Sequence, residues 1–118
     1  MVKRIYLLEN DEGITEVLQL LFSGAGYEVS AFSSVNAFVD GVDAHAADLF
    51  LLDVMLPDGN GIEVCNYLKS LEKTRHVPVI MMSAHADRYD IRRGCAAENF
   101  IKKPFDIYDL LRLVAKHI

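Results

Sequence analysis

Asp53 closes the apolar run Leu49-Phe50-Leu51-Leu52 and gives way to Val54-Met55-Leu56-Pro57-Asp58-Gly59. A carboxylate at the end of a buried strand, ahead of a Pro/Gly turn, lies at a sheet edge. Three further apolar runs end in groups that could act with it. Ile5-Tyr6-Leu7-Leu8 ends in Glu9-Asn10-Asp11, Val79-Ile80-Met81-Met82 in Ser83, and Phe100-Ile101 in Lys102-Lys103-Pro104. Parallel strands bring such ends to one edge, where doubly wound folds place their sites. Acidic side chains, a hydroxyl and a lysine around one carboxylate suit a divalent metal and a phosphoryl group. The metal takes oxygen ligands, and lysine is a compact cation for a phosphoryl oxygen.

The elements that must position these groups alternate along the chain. Residues 3–8 read as a buried strand. From Ile14 the apolar residues Ile14, Val17, Leu18, Leu21 and Phe22 form one face of a helix, stopped by Gly24 and Gly26. Tyr27–Phe32 is a second strand. Ser33 or Ser34 caps a short helix with the stripe Val35, Phe38, Val39 and Val42. Asp48–Asp53 is the third strand, and Asn60-Gly61 opens a helix carrying Ile62, Cys65, Leu68 and Leu71. Pro78–Ser83 is the fourth strand. Asp87–Cys95 is a weak helix with only Tyr89 and Ile91 clearly apolar. Asn99–Lys102 is the fifth strand. Asp106 caps the last helix, Asp109 stands where it could reach back, and the stripe is Ile107, Leu110, Leu111, Val114 and Ile118. Five β/α units with continuous apolar strands predict a parallel sheet covered on both faces by helices. The expected fold is an α/β three-layer sandwich of flavodoxin-like type, with a five-stranded sheet in the order 2-1-3-4-5.

With 118 residues the chain is expected to form one domain over 1–118. A net charge of -5 argues against nucleic acid as a direct partner, because phosphate contacts need clustered cations and Arg92-Arg93 and Lys102-Lys103 make no basic face. The two cysteines, Cys65 and Cys95, are too few for a disulfide framework and read as thiols in a reduced cytoplasm. No leader is expected, since Lys3-Arg4 precedes only four apolar residues before Glu9, and no run is long enough for a membrane span. The four histidines, His45, His76, His85 and His117, lack metal-ligand spacing and are expected at the surface.

The motifs Leu51-Leu52-Asp53-x-Met55-Leu56-Pro57-Asp58-Gly59-x-Gly61, Pro78-Val79-Ile80-Met81-Met82-Ser83-Ala84 and Lys103-Pro104-Phe105 stand in this order after the acidic cluster. Together they make the whole chain resemble the receiver domain of bacterial two-component response regulators, the CheY-like fold. The resemblance implies that Asp53 accepts a phosphoryl group from a phosphohistidine on a sensor histidine kinase or phosphotransfer protein. It implies Mg²⁺, or Mn²⁺, held by Glu9, Asn10, Asp53 and the backbone carbonyl of Met55. Lys103 would pair with a phosphoryl oxygen while Lys102 points the other way. Pro104 would follow a cis bond that aims the lysine inward. Ser83 would be the switch hydroxyl, and Phe100 the aromatic that swings inward on activation. Met55 and His85 would flank the path of the hydrolytic water, and a methionine there implies slow self-dephosphorylation. The output would be a changed surface on the fourth helix, fifth strand and fifth helix, read by a downstream effector domain or protein or by a second copy in a homodimer. Such a domain is no enzyme beyond its own phosphorylation and dephosphorylation. It would work in the cytoplasm, without membrane contact. Its start at Met1 favours a free-standing protein or the N-terminal half of a longer regulator.

One departure concerns metal. The family usually has a carboxylate at the Asn10 position, and an amide supplies oxygen without charge. Asp11 could compensate, but is expected to cap the first helix. Lys103 is expected to matter more to the signal than to folding. Two other readings remain. A pseudo-receiver, acting by interaction alone, is supported only by Asn10 and opposed by the joint presence of Asp53, Ser83 and Lys103. A flavin or nucleotide binder needs a Ser/Thr/Gly-rich cradle after the first strand, where Glu9-Asn10-Asp11-Glu12 would repel phosphate.

Overall fold

A computed structural model describes residues 2–84 and 94–118. In chain order the elements are β1 (Arg4–Leu8), α1 (Glu12–Gly24), β2 (Glu28–Phe32), α2 (Val35–Gly41), β3 (Leu49–Asp53), β4 (Met55–Leu56), β5 (Gly59–Asn60), α3 (Gly61–Ser70), β6 (Val79–Ser83), β7 (Asn99–Lys102) and α4 (Ile107–His117). Five strands form one parallel sheet in the order β2-β1-β3-β6-β7. Setting aside the two-residue strands β4 and β5, this is the expected order 2-1-3-4-5. β3 and β6 are buried at every position, which is why their sequences are apolar without alternation.

Alternate strand residues feed two cores. On one face Leu8, Phe50, Leu52, Val79 and Met81 pack with Phe38 of α2 and with Val64, Cys65 and Leu68 of α3. On the other, Ile5, Leu7, Leu49, Leu51, Ile80 and Met82 pack with Leu18 and Phe22 of α1 and Leu110 and Val114 of α4. Burying one such side chain stabilises the fold by roughly 1.5–3 kcal/mol.

The helix starts follow their caps. The side chains of Asp11, Ser34, Asn60 and Asp106 accept from the first turns of α1, α2, α3 and α4. Three local expectations need correction. Val17 and Val39 leave their predicted stripes, with 48% and 45% exposure. Both line surface grooves, Val17 beside Ile14 and Phe105 and Val39 beside Tyr67. Val64 takes a core place on α3 that the periodicity did not give it, while Ile62 packs against that core from its edge and Leu71, the C-cap, is half-buried. Asp109 pairs with Arg112 rather than reaching back to the cap. The predicted helix Asp87–Cys95, apart from Gly94 and Cys95, lies outside the described residues, as do His85, Arg92 and Arg93. His45 and His76 are exposed, whereas His117 is half-buried against Asn99. Among the described residues no helix is long and apolar enough to cross a membrane.

Candidate functional site

The carboxyl ends of β1, β3, β6 and β7 meet at one edge. Asp53 is the last residue of β3, opposite Met82, so that Ser83 lies one step further along β6. The Lys103 backbone N–H donates to the Ser83 carbonyl at 2.8 Å, which fixes the chain just beyond β7 against the end of β6. From there the Lys103 ammonium reaches Glu9 Oε2 at 2.5 Å and Asp53 Oδ2 at 3.1 Å. Glu9, Asp53 and Ser83 are only 3%, 8% and 4% exposed. Lys102 is exposed on the opposite side of its strand, as alternation requires, and the Lys103–Pro104 peptide is cis.

The loop after Asp53 is held from two sides. The Gly61 N–H donates to the Val54 carbonyl at 2.8 Å, and a Cβ on Gly61 would stand 1.9 Å from the Asp53 carbonyl oxygen. Glycine is therefore required there by close backbone approach. Met55 pairs with Asn60 in the short β4–β5 ribbon, its side chain exposed.

Asp58 holds that ribbon to α2. Its two carboxylate oxygens accept from Val35 N at 2.7 Å and Asn36 N at 3.0 Å. In the sequence Asp58 reads only as a turn residue, because nothing local announces a bond to a remote helix start. The Asn36 and Val35 N–H groups hold its carboxyl below the ordinary carboxylate range. A depressed folded-state value means stability present above the ordinary value of 3.8 and lost as pH falls below it. Asp58→Ala should therefore lower the urea midpoint at pH 7, with the difference from wild type shrinking in acid. An undiminished difference at pH 3 would assign the loss to something other than the ionised carboxylate.

The electrostatics of the main cluster follow from two carboxylates facing one ammonium. Burial pushes the Glu9 carboxyl above its ordinary value, helped by the Asp53 charge, and the bonds from Lys103 and Asp11 N–H only partly offset this. Burial pulls the Lys103 ammonium down, yet its contacts with Glu9 and Asp53 raise it overall. Acid and base both hold protons more tightly than usual, so the site attracts positive charge. That is the condition a cation would relieve, and the oxygen donors are of the kind Mg²⁺ takes, with water completing its shell. Among the described residues no three acidic, His or Cys groups converge to hold a metal. Asp11 is engaged elsewhere: its Oδ1 accepts from Ile14 N at 3.0 Å as the cap of α1. Asn10 is exposed and lines a cleft with Glu9 and Glu12.

Asn10→Asp should then tighten Mg²⁺ binding. A further unit charge a few Å from a divalent ion in a partly solvated cleft contributes roughly 1–3 kcal/mol, about a 5- to 150-fold gain in affinity. The same charge adds repulsion in the metal-free protein, so the variant should be less stable without Mg²⁺ and gain more from its addition. Calorimetric titration of both proteins measures this; equal affinities would show that charge at position 10 does not limit binding.

Phe100 is buried in the core shared with α2 and α3. Beside Lys103 an open apolar groove runs between α1 and the loop after β7, lined by Ile14, Val17, Pro104 and Phe105.

Comparison with known proteins agrees with this layout. The profile of the response regulator receiver domain matches residues 5–115. The transcriptional regulatory protein GltR of Pseudomonas aeruginosa is 33% identical over 111 residues, covering 92% of this chain and 46% of that protein. The response regulator ArlR of Staphylococcus aureus is 33% identical over 110 residues, covering 92% of this chain and 49% of that protein. The chain thus spans about half the length of the curated relatives it matches. Among solved structures, the non-phosphorylated HemR receiver domain from Leptospira biflexa superposes with a TM-score of 0.88 at 31% identity, over 97% of this chain and 92% of that one.

Proposed function

The chain belongs to the response regulator receiver domain family, and on that premise we propose that it is a phosphoacceptor whose acceptor atom is a carboxylate oxygen of Asp53. Residues 1–118 would form this one domain, a signalling module rather than an enzyme acting on other substrates. The carrying observation is the convergence of Asp53 and Glu9, at 3.1 Å and 2.5 Å, on the Lys103 ammonium at one buried edge.

The Asp53 oxygen attacks phosphorus in line with the departing imidazole of a phosphohistidine. A P–O bond forms as the P–N bond breaks, and the protein contributes positioning and charge neutralisation. Glu9, Asn10, Asp53 and the Met55 carbonyl would hold Mg²⁺ or Mn²⁺, which when bound offsets charge spreading over the phosphoryl oxygens. The Lys103 ammonium exchanges its bond to Asp53 for one to a phosphoryl oxygen. Ser83 donates its hydroxyl to another. Phe100 then repacks into the space Ser83 vacates and alters the surface near β7. A phenyl ring has only packing to select between its positions, so the two states differ by little, on the order of 1–2 kcal/mol. The groove along α1 beside Lys103 suits the apolar face of the phosphodonor, a sensor histidine kinase or phosphotransfer protein of the cytoplasm. The output partner is a downstream effector domain or protein, or a second copy of the chain.

Incubation with a small acyl phosphate tests this. Intact mass should rise by one phosphoryl group with Mg²⁺ present and stay unchanged with excess chelator. No gain in either condition would leave the pseudo-receiver as the better reading.

A further inference from the structure

One face of α3, at Ile62, Cys65, Asn66 and Lys69, lies against the chain that leads into β7. Asn66 Nδ2 donates to the Gly94 carbonyl at 2.7 Å. Lys69 forms an ion pair with Glu98, whose second oxygen accepts from Val79 N at 2.6 Å. A Cβ on Gly94 would stand 2.9 Å from Ile62 Cγ2, so the two segments approach closely. Between these contacts Cys95 packs against the core cluster that holds Cys65, and the two thiols lie within hydrogen-bonding reach of one another. Cys65 is fully buried, Cys95 is half-buried, and neither is in a disulfide. Contacts on both sides of the pair hold α3, which carries Cys65, against the irregular segment that carries Cys95, far from it in sequence.

From this juxtaposition we propose that Cys65 and Cys95 are a redox modification site, converted by a low-molecular-weight disulfide into an intramolecular disulfide that staples α3 to the segment leading into β7. The surroundings divide the labour. Hydrogen bonding with the Cys65 thiol lowers Cys95 to about 7; burial opposes this and the Ala97 N–H assists. The same bonding, together with burial, pushes Cys65 well up. Lys69 and Glu98 are the charged groups nearby. Cys95, having lost its proton to solvent, attacks one sulfur of the small disulfide, whose S–S bond breaks to release a first thiolate. Cys65 Sγ then attacks Cys95 Sγ, and the second small thiolate leaves carrying the Cys65 proton. One small disulfide is reduced to two thiols, and two protein thiols are oxidised to one disulfide. The closed loop contains β6 with Ser83, and the staple lies five residues before Phe100.

The reduced full chain is equilibrated with mixtures of oxidised and reduced glutathione, quenched in acid, alkylated in denaturant and weighed intact. The expected product is a monomer two hydrogens lighter, with both thiols lost together and a Cys65–Cys95 peptide on digestion. It should exceed glutathione adducts at least about tenfold, because the second thiol acts intramolecularly, and dithiothreitol should reverse it. Two alkylated cysteines in oxidised glutathione, a stable adduct or an intermolecular dimer would each overturn the proposal. Cys65→Ala should accumulate the adduct on Cys95, and Cys95→Ala should leave Cys65 a thiol. Should either variant fail to fold, iodoacetamide on the native wild type decides. Cys95 should react at least about tenfold faster than Cys65, half-maximally near pH 7, and equal rates would refute the division of roles.

Discussion

Asp53→Asn should take up under about 1% of the phosphoryl group that wild type accepts from an acyl phosphate with Mg²⁺. The loss should be nearly total because an amide oxygen is a poor nucleophile and yields no stable acyl phosphate. The variant should nonetheless stay folded. Asp53 and Glu9 share one ammonium, and removing the first carboxylate leaves Lys103 paired with Glu9 at 2.5 Å. It also removes a charge that pushes Glu9 up. The melting temperature is therefore expected to hold or rise while phosphorylation vanishes. Intact mass and a thermal melt on the same sample separate the two. Undiminished uptake in a folded Asp53→Asn protein would move the acceptor elsewhere.

Lys103→Ala should destabilise the metal-free protein by about 2–3 kcal/mol, since breaking a buried pair leaves its partners uncompensated. This reverses the expectation from sequence that Lys103 bears on the signal more than on folding. A lysine tipping into an acidic edge reads as a switch; a lysine 13% exposed between two buried carboxylates is also their counter-ion. The loss is bounded because Glu9, already raised by burial, can take up a proton, at 1.36 kcal/mol per pH unit above its own value. The sign can be checked by linkage. Lys103 has a raised folded-state value, so its contribution is full at neutral pH and lost only as pH climbs past 10.5. Glu9 is raised too, so its ionisation costs stability as pH rises from 4.5 upward. Urea unfolding in chelator at pH 7 should show the lower midpoint in Lys103→Ala, and Mg²⁺ should narrow the gap by supplying the missing charge. An unchanged midpoint without metal would mean that water already compensates the two carboxylates.

The strand ends were legible in the sequence. Apolar runs of four or five residues, each closed by a polar group, fix where a buried strand must stop, and alternation with helix-period segments fixes that the strands are parallel. Those two rules alone put Glu9, Asp53, Ser83 and Lys103 at one edge. Side-chain chemistry with one strong local partner was legible too: Asp11 and Asp106 cap the helices that follow them. The sequence did not determine what depends on distant approach. Which carboxylates share the Lys103 ammonium, that Asp58 holds the start of α2, and that Cys65 meets Cys95 are decided by register and by helix–sheet docking. Val17 and Val39 show the limit from the other side. Their periodicity is that of a core stripe, but a helix covers the sheet with only part of its surface. Its flanking apolar residues fall to the core or to a groove according to what packs beside them, and tertiary packing sent these two to grooves.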